Sequence, residues 1–182
     1  MQPDKDNAPR LIIDLNSILN GALLGGKDPD ALTTIVEGKV ISVNSARYGV
    51  DKFFARFVEV LREFNAAPRN VIGVWDGKNA KAFRQGMLPA YKASTRSGPE
   101  YEQLNAAREI VNQMLHDMGA HTVVCDGCEA DNTIAYLVQR MRTRKNIVIT
   151  GDGDLMVLVD DNTRVFRQGK LDENPYGPFP HK

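Results

Sequence analysis

Cysteine is nearly missing from this chain: its 182 residues hold only Cys125 and Cys128. A structural zinc centre usually needs four Cys or His ligands, and no second pair accompanies this one. The segment does not look like the start of a thioredoxin unit, so the pair reads as two reduced thiols packed near the end of a strand. Long hydrophobic runs are missing too, and none approaches the roughly 20 residues of a membrane span. The first residues, MQPDKDNAPR, are polar and lack a secretory signal, which leads us to expect an intracellular, cytoplasmic protein. Net charge is also absent, because 23 Lys and Arg balance 23 Asp and Glu. No global basic field draws the chain to nucleic acid.

What is present suits one globular domain: 42% of residues are apolar, and the length allows a substantial core. Charge is distributed unevenly. From Lys78 to Pro99 there are five basic residues (Lys78, Lys81, Arg84, Lys92, Arg96) and no acid. A second basic run, Arg140, Arg142, Arg144 and Lys145, reads as a solvated helix face.

Short β-rich runs alternate with helical patterns. Strands are expected at Leu11 to Asp14, Val71 to Trp75, His121 to Val124, Asn146 to Thr150 and Thr163 to Arg167. Apolar residues recur at helical spacing from Val50 to Phe64, from Leu104 to Met118 and from Ala130 to Met141, and these stripes read as core-facing. Gly25 to Val43 is periodically weak and reads as a loop or a hairpin. The last residues, from Asn174, carry three prolines and read as an extended tail. The alternation predicts an α/β fold with a mostly parallel sheet flanked by helices. Ligands in such folds bind beyond the carboxyl ends of the strands.

Acid stands at those ends. Four strands run into Asp14, into Asp76, towards Glu129 and Asp131, and into Asp152 and Asp154. One Asp after a strand is commonly a helix cap or a turn residue. Six carboxylates on one sheet edge would repel one another and raise their own pKa values. Divalent cations remove that penalty, and oxygen ligands without His or Cys select Mg²⁺ or Mn²⁺. Two such ions about 4 Å apart activate water and stabilise the leaving oxygen of a phosphodiester.

The pieces LIIDLNS, VWDG, FRQGMLPAYK, GCEADNTIA and TGDGDLMVL, in this order from Leu11 to Arg167, resemble the 5′-nuclease (flap endonuclease) family. That family includes the 5′→3′ exonuclease domain of bacterial DNA polymerase I and phage 5′-exonucleases. The resemblance implies a PIN-like core over residues 1–170, with residues 171–182 as a tail or linker towards a further DNA-binding region. It implies that Asp14, Asp76, Glu129 and Asp131 form a first metal site, Asp131 bridging and Glu129 reaching its ion through a water. Asp152 and Asp154 then serve a second ion. Lys92 and Arg84 match the family's active-site basic residues, which act with Asp76 and Asp131. Lys78, Lys81, Arg84, Tyr91, Lys92 and Arg96 belong to a helical arch or flexible gateway that contacts nucleic acid, with Tyr91 stacking on a base. The implied partners are DNA with a 5′ end or flap and RNA/DNA hybrids.

The chain departs from the family at Asn132, where a further Asp is usual, and in the spacing between Lys92 and Arg96. Family members also continue into a DNA clamp, which would here come from a missing region or a separate chain. Three rival readings stand beside the nuclease. A haloacid-dehalogenase-type phosphatase would need an acid two residues after Asp14, where Asn16 stands. A PIN-type ribonuclease shares the architecture. A non-catalytic nucleic-acid-binding module would keep the fold without the chemistry.

Overall fold

The computed structural model describes residues 8–90 and 98–167. The predicted tail therefore lies outside the described residues. Five strands form one parallel sheet: β1 (Arg10–Asp14), β4 (Val71–Asp76), β5 (His121–Cys125), β6 (Asn146–Thr150) and β7 (Thr163–Arg167). Their order is β5-β4-β1-β6-β7, which places β1 at the centre. In register, Leu11 stands opposite Val71 on one side and Ile147 on the other. All five expected strands are present.

Alternation along β1 explains why helices cover both faces. Leu11 and Ile13 point into a core shared with α1 (Leu15–Leu24), α2 (Ala46–Glu63) and α4 (Pro99–Asp117). Ile12 points the other way, against Ile134 and Val138 of α5 (Ala130–Arg140). Phe53, Phe57, Trp75 and Leu115 fill the larger core. Truncating such a side chain to Ala costs about 2–5 kcal/mol. On α4 the buried residues are Ala107, Val111 and Leu115, whereas Ile110, Met114 and Met118 are exposed. The expected apolar stripe is thus wider than the face the sheet covers.

Helix starts follow local chemistry. Asp14 caps α1 by accepting the Ser17 N–H at 3.0 Å. Ser45 caps α2 through the Tyr48 N–H, and Pro99, with Glu100 and Glu102, opens α4. The short α3 (Ala82–Met87) lies in the basic segment.

The segment after α1 is a hairpin, β2 (Leu32–Val36) and β3 (Lys39–Val43), forming its own two-stranded sheet. Glu37 and Gly38 both take positive φ, at 50° and 76°, the pattern of a tight hairpin turn. No described helix is long and apolar enough to cross a membrane.

Candidate metal and phosphodiester site

The carboxyl ends of β1, β4 and β6 open onto one cavity of about 880 Å³. Asp14, Asp76, Glu129, Asp131 and Asp152 line it. Each comes from the end of a sheet strand or the loop or helix start that follows, so adjacent parallel strands bring together residues far apart in the chain.

Asp14 is the deepest of these carboxylates, only 4% exposed. Besides the Ser17 N–H it accepts the Thr150 hydroxyl at 3.0 Å. Burial pushes its carboxyl up to about 6, with the neighbouring charges of Asp131 and Asp76 adding to the rise. The two hydrogen bonds oppose that shift without cancelling it. Asp76 is held from across the cavity, its Oδ1 accepting the Ala130 N–H at 2.7 Å. Glu129, 5% exposed, stands at the N-cap position of α5 and forms an ion pair with Arg84 at 2.6 Å. A second nitrogen of Arg84 donates to Asn132 Oδ1 at 3.1 Å. The Arg84 guanidinium thus bridges Glu129 and the amide that replaces the expected acid.

The predicted residues do not all converge. Asp154 is exposed and outside the cavity. It opens a short 3-10 helix, Asp154–Leu158, and donates its N–H to Asp152 Oδ1 at 2.9 Å. Among the described residues, no three His, Cys, Asp or Glu side chains stand close enough to hold one ion between them. Three of the acids instead have partners within the protein: Ser17 and Thr150 hold Asp14, the Ala130 N–H holds Asp76 and Arg84 holds Glu129. Lys81 lines the cavity, whereas Lys78 is exposed and binds Asp126 through its backbone. Tyr91, Lys92 and Arg96 lie outside the described residues.

Sequence reasoning missed one wall of this cavity. Tyr101, Asn105 and Arg108 project from α4 at spacings of four and three residues. Arg108 lies over the Trp75 ring, 4.8 Å from its centroid, and donates to the Asp76 carbonyl at 3.1 Å. The signal was a polar row beside the apolar stripe, which the search for core positions passed over. The thiols also differ from expectation. Cys125 is exposed rather than packed, and Cys128 is half-buried.

Residues 11–177 match the family described as 5′-3′ exonuclease, N-terminal resolvase-like domain. The chain belongs to this family. Among its relatives, DNA polymerase I of Treponema pallidum is 31% identical over 68% of this chain and 12% of its own length. Flap endonuclease Xni of Photobacterium profundum is 29% identical over 63% of this chain and 48% of its own. The chain therefore spans half or less of these curated relatives.

Solved structures show the same fold at low identity. Human GEN1 in complex with Holliday junction DNA superposes with a TM-score of 0.56 at 17% identity, covering 91% of this chain and 36% of that one. The T5 5′-exonuclease with bound zinc gives 0.55 at 18% identity, covering 87% and 54%.

Proposed function

We propose that this chain is a divalent-metal-dependent 5′-nuclease, hydrolysing phosphodiesters of DNA at 5′ ends or flaps. The observation that carries the proposal is the convergence of Asp14, Asp76, Glu129, Asp131 and Asp152 on one cavity. Membership of the 5′-3′ exonuclease family supports it. So do the flap endonuclease among its relatives, from Photobacterium profundum, and the DNA and zinc ions bound to two solved neighbours.

The residues suit a hard cation. All five donors are carboxylates, and the acid-raised Asp14 gains most from a nearby positive charge. We assign Asp14, Asp76, Glu129 and Asp131 to one ion, Mg²⁺ or Mn²⁺, on which they would close from their present separation, and Asp152, with Asp154 after a local rearrangement, to a second. Bound there, the ions would lower the pKa of the attacking water and stabilise the leaving oxygen. Arg84 moves between Glu129 and the substrate phosphate, and Lys81 and Arg108 bind phosphates along the cavity wall. Asp76 and Asp131 hold the reacting geometry. From the family resemblance we assign Lys92 to the scissile phosphate, Tyr91 to base stacking, and Lys78 and Arg96 to further phosphate contacts. DNA with a 5′ end or flap is the partner, and a duplex clamp comes from outside this domain.

The test is cleavage of a 5′-labelled flap duplex and a plain single strand in Mg²⁺, Mn²⁺ and EDTA, beside an Asp76→Ala/Asp131→Ala double variant. Metal-dependent cutting that the variant loses is the expected result. DNA binding with no cutting in either metal would overturn the proposal in favour of a binding module. Cutting of a matched RNA single strand, run alongside, with none of the DNA would favour a PIN-type ribonuclease.

A further inference from the structure

The proposed chemistry leaves the Cys125–Cys128 pair unused, although Cys128 directly precedes Glu129. Asp126 and Gly127 form a turn between the two cysteines. The Cys128 N–H closes it on the Cys125 carbonyl at 3.0 Å. Gly127 takes φ of 80°, the value a type II turn requires at its third residue. Such a turn keeps its end Cα atoms within about 7 Å, and a disulfide spans roughly 4.4–6.8 Å. The two thiols already interact with each other, and Cys125 is open to solvent.

The same turn is fastened to the loop after β4. Lys78 O accepts the Gly127 N–H at 2.7 Å, and Cys128 O accepts the Gly77 N–H at 3.1 Å. Asp126 Oδ1 accepts the Lys78 N–H at 3.0 Å. Asp76 lies immediately before this loop and Glu129 immediately after the turn, and Asp76 also holds the Ala130 N–H. Rearranging the turn therefore moves two cavity carboxylates through direct bonds.

We propose that Cys125 and Cys128 are an oxidation site for hydrogen peroxide, closing to a disulfide that tightens the turn joining the Asp76 and Glu129 segments and weakens divalent-ion binding. The second half of this rests on the function proposed above. The exposed Cys125 sulfur attacks the peroxide, the O–O bond breaks, and a sulfenic acid and one water form. The Cys128 sulfur then displaces the sulfenic oxygen, releasing a second water as the S–S bond forms. Two thiols lose two electrons and hydrogen peroxide gains them. A dithiol reverses the step by exchange.

The experiment treats the whole chain with hydrogen peroxide and then with dithiothreitol. It reads free thiols by alkylation and mass, amide exchange at Gly77 and Lys78, and Mn²⁺ affinity. The expected result is loss of both thiols without added oxygen, a several-fold change in exchange at Gly77 and Lys78, and several-fold weaker Mn²⁺ binding. Dithiothreitol restores all three, and Cys125→Ser shows none of them. Thiols that stay alkylatable, or cysteines carrying added oxygen in place of a bridge, would overturn the oxidation site. A disulfide with unchanged exchange or unchanged Mn²⁺ affinity would overturn the coupling. Disulfide formation and altered exchange in a chain that binds Mn²⁺ in neither state would sink the proposed function and leave the oxidation site standing.

Discussion

Replacing Asp14 with Asn isolates the electrostatic cost of the cavity. In the folded protein the Asp14 carboxyl sits at about 6, against 3.8 for an unperturbed Asp, mainly because it is buried. The folded state therefore holds its proton more tightly than the unfolded chain does. Below about pH 4 both states are protonated and nothing is lost. Between about pH 4 and 6 the unfolded chain ionises first, and folding stability falls. Above 6 the whole penalty is present, about 3 kcal/mol from the gap between the two values. An Asn side chain keeps the cap on the Ser17 N–H and can still bond the Thr150 hydroxyl. We expect the variant to be more stable by about 1–3 kcal/mol at pH 7.5 and nearly unchanged at pH 4. In a domain of this size that is roughly 2–4 °C of Tm per kcal/mol. Thermal unfolding in EDTA at the two pH values measures it. Adding Mg²⁺ should then raise the Tm of the native protein far more than that of the variant. A variant that is less stable at pH 7.5, or a difference that ignores pH, would refute the reasoning.

Other perturbations test the neighbouring contacts. Arg84→Ala leaves the buried Glu129 without its 2.6 Å partner. It should cost about 1–2 kcal/mol in urea unfolding, and at least tenfold in cleavage rate if Arg84 also meets the phosphate. Gly77→Ala would push a Cβ into the Cys125 carbonyl oxygen. We expect a loss of about 2 kcal/mol or more, together with most of the cleavage activity. Asn132→Asp restores a charge beside Arg84 and should strengthen Mn²⁺ binding several-fold by calorimetry. Arg108→Ala should weaken DNA binding and lower the salt dependence of log Kd by about one phosphate contact.

The strands were legible because β-branched residues concentrate in short runs such as Val71–Asp76 and Asn146–Thr150. The carboxylates were legible because they end those runs, as Asp14 and Asp76 do, or follow them within a few residues. Helix α1 was not read as a helix: it is short, carries Gly21 and has little polar contrast between its faces. The hairpin stayed ambiguous because Glu37 occupies a left-handed position that sequence patterns assign to Asn or Asp. Arg108 escaped because its role depends on Trp75 and Asp76, which precede it by 33 and 32 residues and meet it only through packing. The bridge from Arg84 to Glu129 and Asn132 likewise depends on where α3 docks, which no local pattern encodes.

The central position of β1 has a consequence for synthesis. Asp14 is made 136 residues before the Thr150 hydroxyl that holds it, and β1 cannot be enclosed until β6 exists. Chains emerge from the ribosome N-terminus first, at about 5–20 residues per second. For most of that time the acids at the ends of β1 and β4 hang on an open sheet, without the strand that completes their edge. The carboxylate edge is therefore put together only when β6 pairs with β1, long after Asp14 itself has been made.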